Sequence, residues 1–136
     1  MMAYGKILMT VAILQFTIIP LIADLNRSHA TNPAWPGHAR NHLIVQVLTT
    51  SAIGLLALFF LWSGRVEQTL GICIATMLAA AALVPFFVSV IARPLFGGEL
   101  MPARIGIVQI HLGQIEGNLL NFGSAAALFV AGRPMV

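Results

Sequence analysis

The sequence predicts an all-α fold, an integral membrane bundle of four transmembrane helices that takes up residues 1–136 as a single domain. Two observations lead there. Composition is the first: 59% of the chain is apolar and 8% charged, against about a quarter charged in soluble domains. Spacing is the second. Four apolar stretches, residues 7–23, 43–62, 70–92 and 105–131, alternate with the charges, and each is long enough for a hydrocarbon core about 30 Å thick, which takes roughly 17–25 helical residues. Of seven basic and four acidic residues, only Glu116 falls inside a stretch. This excludes a soluble enzyme and a nucleic-acid-binding domain, because the basic surplus reflects scarce acids and forms no patch. The expected location is a membrane crossed several times, with the lipid bilayer as partner.

The first stretch follows Lys6 as a signal peptide would, but a cut after Ala23 would put Leu21 where a small residue is needed. It reads as a retained helix, with Pro20 in its last turn. The third repeats small residues at Gly71, Ala75 and Ala79, a row that lets helix backbones approach closely, and Pro85 falls where it would kink the span. All four runs are rich in Leu and Ala and lack two-residue alternation, so strands are excluded. Four spans put both termini and the 64–69 link on one side, with the 24–42 and 93–104 loops on the other. The basic residues do not orient the bundle: Lys6, Arg65 and Arg133 face Arg27, Arg40, Arg93 and Arg104. A lone cysteine, Cys73, excludes an intrachain disulfide and a thiolate zinc cluster.

The loop after the first span, Asp24-Leu-Asn26-Arg-Ser-His29-Ala-Thr-Asn32-Pro-Ala-Trp35-Pro-Gly-His38-Ala-Arg-Asn-His42, holds three of the four histidines. Pro33 and Pro36 fix two backbone torsions and shape it. Trp35 suits a membrane interface. His38 and His42 are one helical turn apart, and if the second helix starts near Gly37 both imidazoles share a face that continues through Gln46 and Thr49. Such a pair can bind a divalent metal, with His29 among the further ligands, or can serve simply as interfacial hydrogen-bonding residues. This run resembles the D-x-N-x-(S/T)-H then N-P-x-W-P-x-H-A-x-x-H loop of a family of small uncharacterised four-helix membrane proteins, some labelled acetyltransferases. Gly37 and Asn41 depart from the proline and aromatic residue associated with those places. The resemblance implies the four-span layout and no established activity. A coenzyme A or phosphate cradle is not expected, since no glycine-rich loop opens a helix.

The fourth span carries Gln109, His111, Gln114, Glu116, Asn118 and Asn121. On a helical wheel His111, Gln114, Asn118 and Asn121 share one face and Glu116 joins Gln109 on another, while Val108, Leu112, Ile115, Leu119 and Phe122 form the predicted lipid-facing side. Counting about 1.5 Å per residue places Glu116 near mid-span, where a carboxylate is costly and reads by default as functional. The stripes on spans two and four overlap in depth, predicting a polar cleft beneath the histidine loop.

The expected function is binding of a lipophilic small molecule in that cleft, with acid–base catalysis by His111 and Glu116 and ligand contacts from Asp24, Asn26, Asn32, Trp35, Gln46, Gln114 and Asn118. His111-Leu with Glu116-Gly117 resembles, one residue longer, the H-L-x-x-E-G run of emopamil-binding sterol isomerases. A second reading is a metal- or haem-binding subunit using His29, His38 and His42, with a divalent metal ahead of haem. A third is a proton-coupled small transporter or an accessory subunit, as a homo-oligomer or within a larger membrane complex.

Overall fold

A computed structural model describes residues 2–100 and 116–136. Long runs of Leu, Ile, Ala and Met close their backbone hydrogen bonds locally, and they form α1 (Met2–Asp24), α2 (Gly37–Trp62), α3 (Gln68–Ala92) and α4 (Gly117–Gly132). Short 3-10 turns, Arg93–Leu95 and Arg133–Met135, follow α3 and α4. Among the described residues there is no strand. Three helical segments, Met2–Asp24, Gly37–Trp62 and Gln68–Leu95, are long and apolar enough to cross a membrane. Pro20 and Pro85 lie within α1 and α3, which continue past them.

Two boundaries differ from those the apolar runs suggest. α2 starts at Gly37, with Pro36 at its N-cap (φ −54°, ψ 140°). Its first turns are polar, so hydropathy passes over them, whereas proline's fixed φ and restricted neighbour set the start sterically. α4 begins only at Gly117, and Glu116 is extended (φ −72°, ψ 142°) instead of lying within a helix. Glycine costs about 1 kcal/mol relative to alanine inside a helix, which favours a boundary at that step. The rest of the predicted fourth span, residues 105–115, lies outside the described residues.

α1 packs between α4 and α2, α3 packs on the far side of α2, and α3 touches α4 only lightly. Glycines make the close approaches. A Cβ at Gly5 would sit 2.7 Å from Gly132 O and 2.8 Å from Met135 Cβ, and one at Gly71 would sit 2.6 Å from Phe60 O. The predicted row of Gly71, Ala75 and Ala79 is wholly buried. At mid-bundle the backbone of Gly54 lies against Thr17, whose hydroxyl donates to Ile13 O at 2.6 Å, and Ser51 Oγ donates to Thr17 O at 3.1 Å. Met9, Ala12, Ile13 and Phe16 of α1 are fully buried, while Ile7, Val11, Leu14 and Ile18 on its opposite face are exposed. Contact between the two chain ends, and the Lys6 ammonium 5.3 Å from the Trp62 ring centroid, put the termini and the 63–67 link at one end. The 25–36 loop is at the other.

Adding a methyl group where Gly54 meets Thr17 forces backbone or rotamer shifts costing about 1–3 kcal/mol. Gly54→Ala should therefore lower the melting temperature in mild detergent, while Gly123→Ala, where a Cβ meets nothing within 4 Å, should leave it unchanged or raise it. A second outcome concerns the start of α3, where Glu67 accepts hydrogen bonds from Thr69 N (2.8 Å) and Leu70 N (2.9 Å). These bonds hold the Glu67 carboxyl below its ordinary value of 4.5. A lowered folded-state value means that the cap contributes fully above about pH 4.5 and fades as pH falls through the lower value. Glu67→Ala should accordingly melt below wild type at neutral pH, and the gap should close in strong acid.

Candidate functional site: a pocket beneath the first loop

Where α3 and α4 fail to close on each other, a cavity of about 600 Å³ opens in the loop half of the bundle. All four helices line it: α1 through Ile19 to Asp24, α2 from Leu43 to Ile53, α3 from Ala81 to Ser89, and α4 through Asn118, Asn121 and Phe122. The span from Leu43 to Ile53 is about 15 Å of helix. Along it the lining changes character. Asp24, Gln46 and Ser89, with Ala23 and Leu43 beside them, lie toward the loop end, Thr49 and Thr50 lie further in, and Ile19, Ile53 and Ala81 form the floor. Phe86 and Phe122 stack with centroids 4.2 Å apart and planes 13° from parallel, bridging α3 and α4 at the pocket wall. Phe122 thus corrects the wheel assignment: its predicted lipid-facing side includes a ring that meets α3, a partner that periodicity cannot identify.

The predicted polar stripe on α2 and the asparagines of α4 do meet, because Gln46, Thr49 and Asn118 share this pocket with Asp24. The other amides do different work. Asn26 donates to Ala23 O at 2.8 Å and accepts from Ser28 N at 2.8 Å, capping the end of α1. Asn32, 5% exposed, donates to Ser28 O at 3.0 Å and accepts from Ala34 N at 2.9 Å. Both spend their hydrogen-bonding capacity on the loop itself. His29 Nδ1 lies 2.6 Å from Ser28 Oγ and its ring meets Trp35 edge-on at 5.4 Å, so these two residues are tied to the loop as well.

His38 and His42 share one face of α2, with Nε2 atoms 2.9 Å apart and rings in a T-shaped arrangement 4.4 Å between centroids. Both are exposed. Among the described residues no three His, Cys, Asp or Glu side chains converge as a metal group, so His29 does not complete a cluster with the pair. Ser28 and Trp35 hold it elsewhere.

Glu116 stands at the N-terminus of α4 without capping it, and its Oε2 is buried with no hydrogen-bond partner among the described residues. Gln15 Nε2 donates to Ser124 Oγ at 3.1 Å, fixing the register of α1 against α4. From there, eight residues of α4 carry Glu116 about 12 Å toward the loop end, near the level of Ala23 rather than at mid-span. The other expected catalytic residue, His111, and the expected ligand residue Gln114 lie outside the described residues. Sequence reasoning missed Thr50, Phe86 and Ser89 as pocket residues. The serine and threonine stood in apolar runs as ordinary helix hydroxyls, and only the splay of α3 from α4 turns them toward a cavity.

Comparison with family models, curated proteins and solved structures finds no match to this chain.

Proposed function

We propose that this is a multi-pass membrane protein that binds an amphiphilic small molecule in the pocket beneath its first loop. The observation that carries the reading is the gradient of the lining, with Asp24, Gln46 and Ser89 at the loop end and Ile19, Ile53 and Ala81 at the floor. Its volume of about 600 Å³ lies within the roughly 300–1,000 Å³ of small-molecule sites. A polar head would lie toward the aqueous loop and an apolar tail between the helices. Four spans crossing the bilayer would set this mouth at the membrane–water boundary, where such molecules present their heads. Acid–base chemistry on the ligand would fall to Glu116, close to Asn118 at the mouth, with His111 as its partner.

Lipid extraction and mass spectrometry of protein purified in mild detergent should reveal a specifically retained amphiphile, depleted at least about tenfold in Ala81→Trp, whose indole occupies the floor. Equal retention by wild type and a folded Ala81→Trp protein would refute pocket binding.

The 2.9 Å Nε2 separation of His38 and His42 favours a second reading, a divalent-metal site on the loop face. Two imidazoles in adjacent positions around one ion, with bonds of about 2.0–2.1 Å at right angles, stand about 2.9 Å apart. Titration with Cu(II) should give one saturable site, weakened at least about tenfold by His42→Ala; identical titrations of the two proteins would discard the metal.

A further inference from the structure

We infer that the pocket selects an amphiphile whose head is cationic and donates hydrogen bonds, a long-chain primary amine being the simplest example; this rests on the ligand-binding reading above. Among the described lining residues there is one carboxylate, Asp24, and no lysine, arginine or histidine. A fatty acid or phosphate head would therefore meet a like charge at Asp24 and, among the described lining residues, no counter-ion. An ammonium would meet Asp24 directly.

The neutral lining groups favour the same head. Ser89 Oγ gives its proton to Phe86 O at 2.7 Å, leaving its lone pairs available to accept. Asn121 Oδ1 is buried with no hydrogen-bond partner among the described residues, although Asn121 lines the cavity. A buried acceptor left unpaired carries a desolvation penalty, and rotation of this amide toward the cavity would let a donating head supply the missing bond.

Helix ends do not reverse this polarity. Asp24 closes α1, where the negative end of the helix adds to its carboxylate. The positive end of α4 approaches the same mouth, but Glu116 stands at it and offsets its field. His29 stands close enough to act on the Asp24 carboxyl, but neither it nor His38 and His42, which face each other, is among the described lining residues.

The test is a matched series of dodecylamine, dodecanol and dodecanoate, each titrated into the full-length protein in zwitterionic nanodiscs with the thermal shift as readout. The amine should bind at least about tenfold more tightly than the alcohol, equivalent to ~1.4 kcal/mol, and the carboxylate should give no saturable shift. Asp24→Asn should erase the amine's advantage while leaving alcohol binding in place, and Asp24→Glu should restore part of it. Dodecanoate binding as tightly as the amine, or an undiminished amine preference in Asp24→Asn, would overturn the head-group assignment. If Ala81→Trp still removed all binding in that case, the pocket reading would survive. Failure of all three ligands to bind saturably would overturn both.

Discussion

The architecture depends on glycine-mediated close approach at one end of the bundle. Gly5 against Gly132 and Gly71 against the Phe60 carbonyl lock α1 to α4 and α3 to α2 near the termini, and Gly54 against Thr17 joins α1 to α2 near the middle. Without side chains at these points the backbones approach almost to contact, and dispersion between them helps hold the helices together. Most of the continuous core lies in that half: Met9, Ile13, Leu61, Ile72, Ala125 and Phe129. Toward the loop, the buried apolar residues among those described thin to Val47, Leu83 and, in the loop itself, Ala30. Among the described residues the helices are pinned at one end, and at the other the stacked Phe86 and Phe122 rings bridge α3 and α4 beside the pocket.

The first loop is the counterpart of this splay. Asn26 and Asn32 turn the chain with side-chain amides acting on backbone groups, supported by Ala30 N donating to Asp24 O at 3.0 Å. Asn and Asp suit such turns because a short polar side chain can bond to the backbone two residues on. Loop rigidity therefore comes from local bonding and needs no ligand. It also fixes Asp24 at the pocket mouth, since α1 must end there for the turn to form.

How much of this was legible varied with the physical signal. Hydropathy located three long helices and stopped short of the polar first turns of α2, because it measures affinity for hydrocarbon and not helical geometry. Periodicity put Gln46, Thr49 and Asn118 toward a common cavity, as found. It could not identify Ser89 or Phe86, whose exposure to the pocket depends on how far α3 leans from α4. Residue types drew Asn26 and Asn32 into an expected ligand site and His29 into an expected metal site, yet their neighbours in sequence engage all three. The spacing of His38 and His42 was readable because one helical turn relates them, while the depth of Glu116 was not, since counting from the start of an apolar run presumes a helix that begins with it.

The disposition of polar atoms gives the pocket its chemical sense. Thr10, Thr17 and Thr76 donate to the carbonyl four residues earlier, at 2.7, 2.6 and 2.7 Å, so their hydroxyls cost little in an apolar setting. Against that economy, four buried side-chain atoms lack partners among the described residues: Arg40 Nε, and the acceptors Gln15 Oε1, Asn121 Oδ1 and Glu116 Oε2. Gln15 lies in α1, Asn121 in α4 and Glu116 just before α4, and of the three only Asn121 is among the described lining residues of the cavity. The Gln15 amide is held by its Nε2 bond to Ser124, while its Oε1, like the other two oxygens, carries the penalty of an unpaired buried acceptor. On the proposed binding reading, the pinch that forms the void and the polar groups that line it, Asp24, Gln46, Ser89 and Asn121, would serve the same end.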